Sequence, residues 1–206
     1  MRTRALLAAG ATGAALYVLA GLALAVSRPG FDLRRHPFSM LSLGHLGWLQ
    51  IANFVLSGLL FIAGAFGLRR ALRDGLGRTW GPLAFGGIGV GLIAGGVFLA
   101  DPALGFPPGT ADGPAPAISW HGNLHAAAFG LGMLSLVTAF VVFARRYAAI
   151  GDRAAARYSA STAVAFVVFG VTGFIVNDFR IVTVAIVLGW GWACFVAAQQ
   201  LKESSA

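Results

Sequence analysis

Charge is the first thing this chain lacks. Only 11% of its 206 residues are Asp, Glu, Lys or Arg, only seven of them acidic, while 58% are hydrophobic. Soluble domains average about 25% charged residues. A water-soluble fold could not cover its surface with so few ionised groups, so that class is excluded. Cysteine is nearly absent too. Cys194 is the single one, which excludes an intrachain disulfide and a Cys-based metal cluster, and its place inside an apolar run gives it the character of a small core residue. Also missing are the ~10-residue alternating strands of a membrane barrel.

What the chain has instead is long runs of Ala, Leu, Val, Gly and Phe. Six segments reach the ~20 residues a bilayer requires: residues 5–26, 46–68, 81–100, 121–143, 159–177 and 181–199. The sequence therefore predicts an all-α fold, a polytopic transmembrane helical bundle of six helices forming one domain over residues 1–206. The first run follows Arg2 and Arg4 but ends in Ser27-Arg28-Pro29, without a small-residue cleavage pattern, so it reads as a retained helix. Only Asn177 to Arg180 separate the last two spans, which predicts a tight antiparallel hairpin. The run Gly86-Gly87-Ile88-Gly89-Val90-Gly91 lies within a span with no strand before it. It favours close helix approach and not phosphate binding.

The formal net charge of +8 marks topology here, because the basic residues sit between apolar spans; nucleic acid is not an expected partner. Arg2, Arg4, Arg69, Arg70, Arg73, Arg78, Arg145, Arg146, Arg153, Arg157 and Lys202 share one side, eleven of the fifteen basic residues. The positive-inside rule then makes both termini cytoplasmic in a multi-pass protein of the bacterial plasma membrane. The arginine pairs of the inner loops anchor helix ends against anionic lipid. All four histidines, His36, His45, His121 and His125, fall in or beside the two long outer loops, with Asp32, Asp101, Asp112 and Asp178. In the first outer loop Pro37 suits the first turn of a short interfacial helix. The second, from Asp101 to Ser119, is stiffened by Pro and Gly and reads as a connector or a lid. At an offset of about 76 residues the second and third spans align with the fourth and fifth, as an internal repeat would, each hairpin carrying a His at its start and an Asp at its end.

His121 and His125, four residues apart, share one helix face. They could face a metal, a haem, a carboxylate or each other. Two imidazole nitrogens with a third ligand from His45, His36 or Asp101 would hold Zn and leave a position for water. Such a water has its pKa lowered toward ~7 and can attack an ester or amide, with Asp101 or Asp178 orienting a histidine or taking the proton. Facing histidines, His45 with His121 or His125, would instead suit haem. The purely structural alternative is that His121 caps its helix and His125 bonds a neighbouring loop. Asp101 and Asp178 each end a span, the wrong end of the helix dipole, so an ion-pair network is expected: Asp178 with Arg34, Arg35 or Arg180. Gln50 and Asn53 are three residues apart, placed to hydrogen-bond between helices. Trp48, Trp80, Trp120, Trp190 and Trp192 read as an interfacial aromatic belt.

The run Arg35-His36-Pro37-Phe38-Ser39-Met40-Leu41-Ser42-Leu43-Gly44, followed by Gly47-Trp48-Leu49-Gln50-Ile51-Ala52-Asn53-Phe54, resembles the signature of the domain of unknown function 998 family, six-span bacterial membrane proteins. Asp101-Pro102, Phe106-Pro107 and His121 to His125 fit the same pattern. The resemblance implies fold and location, not activity. A second likeness, in chemistry, is to the CREST superfamily of membrane metal hydrolases. It would use Ser42, His45, Asp101, His121 and His125, although those proteins usually have seven spans and a later HxxxH pair. Three functions are thus expected to compete: a metal-dependent hydrolase acting on a lipid or headgroup, a binding or transport protein for a lipid, quinone or small hydrophobic molecule, and a non-catalytic structural membrane subunit.

Overall fold

A computed structural model describes residues 2–203; Met1 and residues 204–206 of the expected domain lie outside it. Among the described residues there are six α-helices and no strand: α1 (Arg2–Ser27), α2 (Gly47–Ala71), α3 (Trp80–Val97), α4 (Trp120–Ala149), α5 (Arg153–Ile175) and α6 (Phe179–Glu203). Each is long and apolar enough to cross a membrane. Each packs against the next in sequence, and α6 returns to α1, so the bundle is a closed ring. Neighbours run antiparallel. One end of the ring therefore holds the start of α1 and the end of α6, and the other holds the 28–46 and 98–119 loops; we call these the terminal end and the loop end.

Glycine sets the spacing of the first helices. A Cβ on Gly64 would lie 2.7 Å from the Cα of Gly10, and a Cβ on either Gly58 or Gly89 would lie 2.6 Å from the other's carbonyl oxygen. Without side chains at these points α1, α2 and α3 pack backbone to backbone. Towards the terminal end the ring is filled by aromatic side chains. Trp192 is fully buried between Phe140, at 4.4 Å between centroids, and Phe143, at 5.9 Å, with its Nε1–H donating to Ser159 Oγ at 3.0 Å. Trp190 stacks on Tyr17 across the α1–α6 seam. Trp48, Trp80 and Trp120 are exposed at the first turns of their helices, but Trp190 and Trp192 are core residues, so a belt does not account for them.

Several boundaries differ from expectation for local reasons. Helix α3 ends at Val97, not Ala100; Pro102 disfavours helical backbone at Asp101. Helix α5 begins at Arg153 instead of Ser159, because Asp152 caps it by accepting from the Ala155 N–H at 2.9 Å. Helix α4 continues to Ala149, carrying Arg145 and Arg146 on its last turns.

Candidate functional site

The middle of the first loop forms one turn of 3-10 helix, Phe38–Ser42, with Phe38 and Leu41 packed into the core of the ring and Met40 buried in a smaller cluster with Leu43 and Phe106. Phe38 packs against Gly21 of α1, where a Cβ would meet its ring at 2.8 Å. The anchor for this turn is Arg28, directly after α1. Only 8% of its surface is exposed. Its guanidinium donates to the carbonyls of Leu41 and Leu43, at 3.0 and 2.7 Å, and lies 5.5 Å from the ring centre of Phe106. Among the described residues no carboxylate pairs with it, and burial pushes its pKa below the ordinary value. Two carbonyls and an aromatic face hold the charge. In the sequence nothing but its place in Ser27-Arg28-Pro29, at the end of the first span, distinguishes Arg28.

His36 is a second anchor and is not placed to ligate. Its Nδ1 accepts from the Asp32 N–H at 2.9 Å, so the proton sits on Nε2, which donates to the Leu104 carbonyl at 2.9 Å. Both ring nitrogens are thus engaged, and the ring packs at tilted angles against Phe31 and Phe106. Arg35 pairs with Asp112 at 2.6 Å and not with Asp178. The two outer loops are in this way stapled to each other, forming one cap over the ring.

The two acids serve the helices that follow them. Asp101 accepts from the Ser119 N–H at 2.9 Å at the start of α4, and those Ser119 hydrogen bonds, with a smaller contribution from His121, hold its carboxyl below the ordinary value. Asp178 accepts from the Arg180 N–H at 3.1 Å, at the start of α6. It also pairs with the Arg180 guanidinium at 2.6 Å and, more loosely, with Arg34 at 3.9 Å. Hydrogen bonds from Arg180 hold its carboxyl low. The expected dipole conflict therefore does not arise: α3 and α5 end before these residues, and each carboxylate lies at a favourable helix N-terminus.

The histidines do not gather. His45 is exposed and His121 is exposed against Trp120, 3.5 Å between ring centres. Among the described residues no three His, Cys, Asp or Glu side chains converge as metal ligands would. Ser42 Oγ donates to the Ser39 carbonyl at 2.6 Å, so the Ser, His and Asp set of the CREST likeness is not assembled as a nucleophile and its base. Among the described residues, His121 and His125 therefore do not form a three-ligand metal centre with His45, His36 or Asp101.

His125 differs from the others. Its Nδ1–H donates to the carbonyl of Phe98, just past the end of α3, at 2.8 Å. A carbonyl only accepts, so neutral His125 keeps the lone pair of Nε2 free. The residue lines a cavity of about 70 Å³ inside the ring, roofed by Pro37, Phe38 and Ser39 and floored by Tyr17 and Trp190. No Asp, Glu, Lys or Arg lines it. Trp190 also lines the cavity, and its Nε1, itself fully shielded, has no hydrogen-bond partner among the described residues. Beside the floor, Asn53 donates to the Tyr17 carbonyl at 3.2 Å and to Gln50 at 3.1 Å, tying α2 to α1. Sequence reasoning missed Tyr17 and Trp190. Their signal was a polar aromatic at mid-span, which only the ring geometry turns inward.

On its α5 side the cavity adjoins a second space of about 380 Å³ between α4, α5 and α6. Phe129, Met133, Phe174, Val182 and Ile186 line both. Helix α5 is the least buried of the six.

A family model described as "Protein of unknown function (DUF998)" matches residues 11–199. No curated protein and no solved structure matches the chain.

Proposed function

Since the chain belongs to the DUF998 family, whose description assigns no activity, we propose from its own cavity that it is a membrane binding or transport protein for a neutral lipid, quinone or other small hydrophobic molecule. The observation that carries this reading is the cavity itself, a largely apolar space inside the ring with no ionised side chain in its lining, bordered by His125, whose Nδ1–H is committed to the Phe98 carbonyl and whose Nε2 remains an acceptor. An imidazole with the Ser39 and Thr183 side chains in an uncharged lining suits a head with a hydroxyl or carbonyl, and disfavours an ionised one. About 70 Å³ accommodates several waters, each needing ~10–15 Å³, or one ring or chain segment. The remainder of a longer ligand extends into the space beside α5. The hydrolase reading has no converging ligand set to support it, and a purely structural role leaves the cavity and the unmet indole unexplained.

In this reading the cap faces outward and both termini are cytoplasmic, in a bacterial plasma membrane, which the eleven basic residues at the terminal end support. The test is solvent extraction and mass spectrometry of protein purified in mild detergent. A neutral amphiphile should co-purify with the wild type at near-stoichiometric level and be lost from His125→Ala. Wild-type protein that carries no such molecule, or a variant that retains it fully, overturns the reading.

A further inference from the structure

Away from the cavity, a groove of about 640 Å³ runs down the outside of the ring between α2 and α3. Its origin is a change in helix spacing. The two backbones touch at Gly58 and Gly89, but one turn nearer the terminal end the helices have parted, and a Cβ on Gly86 would find only the Ala65 Cβ, 3.9 Å away. The walls are apolar: Ile62, Phe66, Leu83 and Val90, the last three well exposed on the surface that faces lipid. Only its terminal end is polar, where Arg69 and Thr79 line it.

That end is also cationic. Arg69, Arg70, Arg73 and Arg78 are exposed there with Asp74 as the one acid among them. Arg69 spends one donor on the Arg78 carbonyl, at 3.2 Å, and has no carboxylate partner among the described residues. Thr79 precedes the first turn of α3 and its side chain makes no cap hydrogen bond. The Gly81 N–H is already bonded to the Gly77 carbonyl at 2.9 Å and Pro82 has no N–H, so the phosphate-binding chemistry here is that of the Arg69 guanidinium beside the Thr79 hydroxyl, set at the membrane surface with a hydrocarbon-lined trough leading inward. We propose that this groove is a site for an anionic phospholipid, with one acyl chain along Gly86 and its phosphate between Arg69 and Thr79. The lipid sits in its normal bilayer orientation, in the leaflet at the terminal end. Charge complementarity selects the occupant: a cluster with one acid against four arginines favours a net-negative headgroup over a zwitterionic one. The site does not depend on the cavity or on what the cavity binds.

The experiment is native mass spectrometry of the full-length protein released from nanodiscs made of equal parts phosphatidylglycerol and phosphatidylcholine. Wild type should retain phosphatidylglycerol over phosphatidylcholine by about fivefold, the scale of one basic residue near an anionic surface. Arg69→Gln should bring that ratio close to one, and Arg69→Lys should recover part of it. Gly86→Leu fills the trough where the structure has room, so it should lower retention of both lipids while leaving the thermal midpoint unchanged. Equal retention of the two lipids by wild type overturns the proposal. So does a preference that survives Arg69→Gln, or one lost in Arg69→Gln while Gly86→Leu still holds lipid fully, since the phosphate would then bind without the groove.

Discussion

The rings of Phe129 and Phe174 meet edge to face, 6.0 Å between centroids, and both rings border the inner cavity and the space beside α5. On the proposed function, a ligand enters sideways from the bilayer past this pair. Gly170 borders the outer space and a Cβ there meets nothing within 4 Å. Gly170→Phe should therefore fold normally and slow exchange of bound ligand for labelled ligand several-fold, whereas Phe174→Ala should speed it. Identical exchange rates in all three proteins would rule this route out.

Arg28 carries the cap. Arg28→Met keeps an apolar stem but leaves the Leu41 and Leu43 carbonyls without their donor, at roughly 1–3 kcal/mol for each buried group left unpaired. A drop of several degrees in the thermal midpoint in detergent is expected, with Arg28→Lys intermediate because an ammonium lacks the fork that reaches both carbonyls. A midpoint equal to wild type in Arg28→Met would show that water replaces the guanidinium without cost.

Asp101 and Asp178 set an acid limb. Both carboxyls are held below their ordinary value in the folded protein, so the unfolded chain takes up protons first as pH falls. Their contribution is full above the unfolded carboxylate value of about 3.9 and is lost as pH drops towards the lower folded values. Thermal melts between pH 6 and the acid range, about pH 3, should fall at the low end for wild type and flatten for Asp178→Asn. A parallel acid limb in the variant would remove Asp178 from this account.

Gly58 and Gly89 are contact points and Gly130 is not. Gly89→Ala must push α3 off the α2 backbone, at about 1–3 kcal/mol for such overpacking. Gly130, in α4, has nothing within 4 Å of a Cβ, so Gly130→Ala should match or slightly exceed wild type. Comparable losses at both positions would mean that glycine acts here through the helix backbone and not through packing.

Much of the site's ingredients was legible in the sequence, and little of its assembly. His125 was singled out by being four residues from His121 at the start of an apolar run, yet that spacing could not say that the two residues part company. His121 rests on Trp120 at the surface, while His125 turns to the end of α3. Arg34 and Arg35, adjacent in sequence, have different partners: Asp178 at 3.9 Å and Asp112 at 2.6 Å. Pairings between loops depend on the path of each loop, and the loop from Asp101 to Ser119 turns on Leu104, Gly105 and Gly109 in left-handed backbone, which no periodicity announces.

The sequence by itself determined the environment and the helices. So few charges and six runs of spanning length leave a chain no solvent but lipid, and in lipid the backbone can satisfy its hydrogen bonds only as helix or closed barrel; runs this long and without alternation make it helix. Which face of each helix turns inward was decided by tertiary structure alone. In hydrocarbon an apolar residue is equally at ease facing lipid or protein, so pattern carries no inside and no outside. Contacts made it: glycine against glycine drew α1, α2 and α3 together, and Trp192 wedged into α4. Between the aromatic core and the stapled cap a small cavity remained, with one imidazole nitrogen free at its wall.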